Sequence, residues 1–235
     1  MRPDKLIQEI TATIIEIPTP HPLRVAVDGV DAAGKTCFAE ALADSLAFTH
    51  RQVIRASVDS FHHPKAIRRR LGSLSPEGFY HHSYNYPALI ENLLAPLSPN
   101  GNRRVRTAIF DLHRDQPIKK PWLTAEKDAI LIIDGIFLLR ESLLPYWDLK
   151  IYLHADFANT VPRGVARDQQ QLGSKKEAIR RYQQRYVPGQ KIYIEEARPL
   201  DKADILIDNN ILDNPKIIRG LVKAQNQQHR AEKDK

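Results

Sequence analysis

Apolar residues Leu6, Ile7, Ile10, Ile14 and Ile17 recur at steps of three and four, the period of an amphipathic helix. Pro18-Thr19-Pro20-His21-Pro22 then stops it. From Leu23 the pattern changes. A short apolar run (Leu23 to Asp28) leads into a glycine-bearing loop (Gly29 to Gly34), an amphipathic stretch (Lys35 to about Ala47) and a second run (Gln52 to Asp59). This order predicts a βαβ unit. Further runs over Val105–Phe110, Ala129–Asp134, Leu149–His154 and Ala203–Ile207 predict more strands, with helical patterns between several of them. Such alternation predicts an α/β fold with a mostly parallel sheet covered on both faces. Residues 96–102 and 115–121 read as turns or loops, and 225–235 holds almost no apolar residue and is expected to fray.

Composition narrows the class. In 235 residues, 42% hydrophobic and 27% charged content is that of a folded globular domain, large enough for one core. Glu9 and Glu16 interrupt the first apolar stretch, and no later run approaches the ~18 apolar residues of a membrane span. The expectation is a cytoplasmic protein with no membrane partner. The single cysteine, Cys37, allows no internal disulfide and no cysteine-based metal cluster. The net charge of +7 is unevenly spread: residues 60–110 and 157–202 each carry +5, and everything else sums to −3. Two internal basic stretches suggest the walls of a site that receives an anion, although solvated faces would give the same count. Net charge is the only feature that speaks for nucleic acid, so no nucleic-acid partner is expected.

The strongest chemical signal is Gly29-Val30-Asp31-Ala32-Ala33-Gly34-Lys35-Thr36, which fits G-x-x-x-x-G-K-[ST] without a mismatch between a strand and a helix. In such a phosphate-binding P-loop the backbone N–H groups of Gly29, Asp31, Ala32, Ala33 and Gly34 face the phosphates. The helix N-terminus adds its positive dipole end, Lys35 reaches the β/γ-phosphates, and Thr36 can ligate Mg²⁺. Cys37 follows immediately; it lies in the loop's binding stretch, and its side chain is expected to pack on the helix. The implied cofactors are ATP or GTP with Mg²⁺.

Two acidic residues end apolar runs, Asp59 and Asp134. The C-terminal ends of parallel strands border the ligand crevice, so both are candidates for the site. Phosphoryl transfer needs one carboxylate near the metal and another to accept a hydroxyl proton. Among the nearby histidines no spacing matches a zinc pattern. His62 and His113 are instead candidates for the acceptor pocket, with Phe61, Phe79, Tyr80, Tyr84 and Phe110 able to stack on a planar base, although most such aromatics are core. Lys65, Arg68, Arg69 and Arg70 either grip an acceptor phosphate or form a solvated helix face. Arg163, Arg167, Arg180, Arg181 and Arg185 lie in a polar, helix-forming stretch with Gly173 as a break, which fits a lid. A GTPase switch is disfavoured, because there is no N-K-x-D segment and no D-x-x-G after Asp134.

Together with Val58-Asp59-Ser60-Phe61-His62, Ser75-Pro76-Glu77-Gly78-Phe79-Tyr80, Phe110-Asp111, Asp134-Gly135-Ile136-Phe137, Arg163 through Arg167-Asp168, and Ala203 through Asn209, the loop resembles the uridine kinase and phosphoribulokinase group of P-loop kinases. The resemblance runs from about Val25 to Asn209. It implies a three-layer P-loop NTPase fold with a helical lid. It implies Asp59 as the base toward the acceptor hydroxyl, Lys35, Arg163 and Arg167 as its catalytic companions, and Thr36 and Asp134 on the metal side. The implied reaction is transfer of the γ-phosphoryl group to the 5′-hydroxyl of uridine or cytidine, or alternatively to a phosphorylated sugar or another riboside; a homo-oligomer is compatible with it. Two departures stand out: His62 occupies the position where uridine kinases carry Tyr, and Asp134 the position where they carry Glu. No residue matches their ribose-gripping acid. The expected division is a helix and linker over 1–22, the kinase domain over 23–224 with its lid at about 157–202, and the 225–235 tail.

Overall fold

The computed structural model describes residues 2–220, so the expected tail lies outside the described residues. Helix α1 spans Pro3–Ile15 and buries Leu6, Ile7, Ile10 and Ile14, the residues whose spacing predicts it. Each such side chain removed from water contributes about 1.5–3 kcal/mol.

Six strands form the central sheet: β1 (Leu23–Gly29), β2 (Val53–Ser57), β3 (Ile130–Asp134), β4 (Leu149–His154), β5 (Ile205–Asp208) and β6 (Lys216–Arg219). Their spatial order is β6-β5-β4-β1-β3-β2. All neighbours are parallel except β6, which runs antiparallel to β5 at the edge. Every residue of β1 and β3 is buried, because helices cover both faces of a parallel sheet. Alternate residues serve opposite layers. Val25, Val27, Ile130 and Ile132 pack with α1 and with α2 (Lys35–Ala47). Ala26, Leu131, Ile133 and Tyr152 pack instead with Phe61, Phe79, Tyr80, Leu89 and Phe137. The result is the expected three-layer α/β fold.

Two expected strands need correction. Val105–Phe110 does not join the sheet: Arg104–Val105 and Phe110–Asp111 each form a two-residue antiparallel ribbon. Val105, Ala108 and Phe110 are buried although the segment lies outside the central sheet. The second strand ends at Ser57, so Asp59 lies in a one-turn 3-10 helix (Val58–Phe61) just past it. Strand β6 is not foreseen by the sequence pattern.

Beyond β4 the chain builds a helical arm. It consists of α4 (Phe157–Asp168), α5 (Lys175–Arg181), a π-helical turn (Tyr182–Tyr186) and α6 (Val187–Ala197), with α3 (Pro76–His82) packed against α6. Gly173, at φ +90°, breaks the arm between α4 and α5. Val165, Ala178 and Tyr182 give it a small core of its own.

Candidate active site

Register brings the site together. Val27 of β1 and Ser57 of β2 both pair with Asp134, so the phosphate loop, Asp134 and the turn carrying Asp59 leave the sheet at one edge. Gly29 starts the loop at φ +154°, where an added Cβ would sit 2.5 Å from the Leu153 carbonyl oxygen. Gly34 ends it at φ +90°, which only glycine adopts without strain, and hands the chain to α2.

A cleft of about 400 Å³ opens above the loop and is walled by Asp31, Lys35, Thr36, Asp59, His62 and Asp134 together with Arg167 from the arm. Seven of the predicted site residues therefore share one space. The Lys35 ammonium donates to the Val30 carbonyl at 2.8 Å. Burial pushes its pKa down, and Asp31, Asp28, Asp134 and Asp59 oppose that push. The Thr36 hydroxyl donates to Asp134 Oδ2 at 2.8 Å, while Arg55 on β2 grips Asp134 Oδ1 at 2.8 Å. Asp134 is thus fixed by both neighbours, with an oxygen facing the start of α2.

At the mouth, Asp31 ties the loop to the arm. It accepts from Arg167 at 3.0 Å, and the Tyr182 hydroxyl lies 3.0 Å from Asp31 and 2.9 Å from Asp168. Arg167 also binds Asp168 at 2.6 Å. Burial would raise the Asp31 pKa, but the charges of Arg167 and Lys35 outweigh it and hold the carboxyl below its usual range. Gln190 of α6 completes the tie by accepting from the Asp31 amide at 2.5 Å.

Beneath the loop, Asp28 is fully buried. It accepts from the Gly29 and Leu139 amides and from the Tyr193 hydroxyl. Burial raises its pKa to about 6 against those hydrogen bonds.

Asp59 is exposed to the cleft and accepts from the Tyr84 hydroxyl at 3.1 Å. His62 Nδ1 lies 2.8 Å from the Asp59 carbonyl oxygen, and its ring centroid is 4.4 Å from that of Tyr84. Burial lowers the His62 pKa although Asp59 opposes it, so the ring is neutral at pH 7. Phe110 and His113 line a second cavity of about 520 Å³ that meets the cleft at Asp59.

Three of the expected site residues do not line the cleft. Tyr80 does not face the cleft: its ring is buried, with the Arg140 guanidinium 4.9 Å from its centroid. Arg163 is held away from the cleft by the carbonyls of Asn209 and Asn210, at 3.5 and 2.5 Å. Cys37 is exposed on α2 rather than packed, and it does not line the cleft. Arg55, Tyr182 and Tyr186, which also stand at the site, are not foreseen by the sequence pattern. A cation inside a parallel strand, Arg55 between Ile54 and Ala56, is the one signal that pointed to any of them.

Among the described residues no cluster of three or more His, Cys, Asp or Glu could enclose a metal. The Thr36–Asp134 oxygen pair suits a cation that keeps several waters and takes its remaining ligands from substrate phosphates, as Mg²⁺ does. The residues present fit that group.

Strand order, phosphate loop and covering arm define a P-loop kinase fold. The chain belongs to the phosphoribulokinase/uridine kinase family, whose model matches residues 25–212. A pantothenate kinase of Rhodopseudomonas palustris (strain TIE-1) is 28% identical over 148 residues, 57% of this chain and 46% of that protein. Uridine-cytidine kinase B of Dictyostelium discoideum is 24% identical over 159 residues, 68% of this chain and 63% of that protein. The chain spans about half the length of the first of these curated relatives. A solved structure described as a possible uridine kinase from Bacillus stearothermophilus superposes with a TM-score of 0.69 at 21% identity, over 86% of this chain and 97% of that one. The likeness in structure shows the fold. Among the described residues no helix is long and apolar enough to cross a membrane.

Proposed function

We propose that the chain is a cytoplasmic kinase that transfers the γ-phosphoryl group of ATP to a hydroxyl of a small molecule. The observation that carries this reading is the meeting of Lys35, Thr36, Asp134, Asp59 and Arg167 around one cleft. In the proposed reaction Asp59 accepts the proton of the attacking hydroxyl. The acceptor oxygen bonds to the γ-phosphorus as the bond to the β–γ bridging oxygen breaks, and ADP leaves. Tyr84 holds the Asp59 carboxylate in position through its hydroxyl. Lys35 turns from the Val30 carbonyl to the β/γ-phosphates and stabilises the charge that builds there. Thr36 and Asp134 would hold Mg²⁺, which would neutralise phosphate charge when bound.

The helical arm acts as a lid. Arg167 exchanges Asp31 and Asp168 for the transferred phosphoryl group, and closure of the arm excludes water. Uridine or cytidine as the acceptor is the second reading, supported by the aromatic cleft wall of Phe79, Tyr84 and Tyr186. Acceptor-dependent ADP formation tests the proposal, with nucleosides, hydroxy acids and sugar phosphates as acceptors and an acceptor-free control. Turnover that needs an acceptor supports a kinase. Equal ADP release without any acceptor contradicts it.

A further inference from the structure

A buried cation is costly unless an anion meets it, and the guanidinium of Arg185 meets none among the described residues. This side chain in the π-helical turn is 6% exposed. It donates only to main-chain carbonyls, those of Ser75 at 3.1 Å, Arg68 at 3.3 Å and Ser73 at 3.4 Å, and lies 5.4 Å from the Phe79 ring centroid. Three further guanidiniums crowd it. Arg68 is held by Asp115 at 2.6 Å and Arg181 by Glu177 at 2.8 Å. Arg69 is half-buried and has no side-chain hydrogen bond or ion pair among the described residues.

Burial lowers Arg185 to about 10; Tyr186 opposes this, while Arg69, Arg181 and Arg68 add to it. Burial also lowers Arg69, and Arg181 and Arg68 push the same way. Of the four like charges gathered here, Arg68 and Arg181 have carboxylate partners, while Arg69 and Arg185 have none among the described residues. This group is not remote: Phe79 beneath Arg185 and Tyr186 beside it both line the cleft that holds Asp59 and Lys35.

We propose that Arg69, backed by Arg181 and Arg185, binds an oxyanion carried by the acceptor, a carboxylate or a phosphate, while the acceptor's hydroxyl sits at Asp59. This rests on the kinase reading above. It makes the substrate a small hydroxy compound with its own negative charge rather than a neutral nucleoside, and guanidinium forks suit either oxyanion.

The test measures initial rates at saturating ATP with pantothenate and D-glycerate as carboxylates, ribose 5-phosphate as a phosphate, and uridine and cytidine as neutral acceptors. One anionic class should show kcat/KM at least tenfold above the neutral pair, and which one identifies the oxyanion. Arg69→Gln should then raise the KM of that acceptor tenfold or more and change kcat by less than threefold, with Arg69→Lys recovering part of the loss. The exposed edge of the cluster is substituted because Arg185→Gln could disturb folding. Preference for uridine or cytidine, or an acceptor KM unmoved in Arg69→Gln, overturns the anion site and leaves the kinase reading standing. No turnover with any of the five in protein that binds ATP also overturns the anion site. Failure to bind ATP overturns the kinase reading itself.

Discussion

At the phosphate-loop end of the cleft every cation faces a carboxylate: Lys35 lies among Asp31, Asp28 and Asp134, Arg167 is held by Asp31 and Asp168, and Arg55 by Asp134. At the Phe79–Tyr186 end, Arg185 is surrounded by carbonyls and Arg69 has no side-chain partner among the described residues. The first arrangement is a set of charges parked on one another, ready to exchange partners when phosphates arrive. The second has no carboxylate to exchange, and on the proposal above an anion from outside completes it. On the proposed reading catalytic geometry and acceptor choice are divided between these two groups of cations, and substitutions in each should separate them.

The largest effect is expected at Asp59. Asp59→Asn should leave ATP affinity within about twofold and lower kcat by roughly 10² to 10⁴-fold, the range for loss of a general base. Weakened nucleotide binding with an unchanged rate at saturation would move Asp59 to the metal side. The next effect concerns stability. The folded pKa of Asp28, raised to about 6, exceeds its value of about 3.8 in the unfolded chain, so the contribution of Asp28 is full at low pH and is lost as pH rises through 6. The stability advantage of the parent over Asp28→Asn should therefore shrink by on the order of 2–3 kcal/mol between pH 4 and pH 7. Denaturant midpoints at several pH values measure it, and a pH-independent difference would contradict the assignment. The smallest effect is at the tie between loop and arm. Asp31→Asn should speed amide exchange across residues 163–182 by about tenfold, equivalent to ~1.4 kcal/mol of local opening. Unchanged exchange would mean that the arm is held by its packing alone.

The same division governs what the sequence could reveal. The phosphate-loop end is local in the chain: strand, loop and helix are consecutive, and the glycine spacing follows from backbone geometry, so Gly29 through Thr36 could be read directly. Asp134 was readable because a buried parallel strand is a continuous apolar run with a definite end. The other end joins residues far apart in sequence. Arg185 meets Arg68 across more than a hundred residues, and no local pattern encodes that approach. Aromatic residues misled for a related reason. Tyr80 and Phe79 are adjacent on α3, yet Tyr80 is buried beneath Arg140 while Phe79 walls the cleft, a difference set by tertiary packing. Val105–Phe110 has the apolar content of a strand, but pairing depends on a partner that periodicity cannot supply.

The central claim is transfer of a phosphoryl group to an organic hydroxyl through the Lys35–Asp59 cleft. Single-turnover experiments with γ-labelled ATP and the acceptor preferred in the rate assay test it most directly, comparing the parent with Lys35→Ala. The label should move to the acceptor in the parent and remain on ATP in the folded variant, because Lys35 is the cation placed to meet the β/γ-phosphates. Label released only as inorganic phosphate, or transferred at the parental rate by Lys35→Ala, would contradict the account.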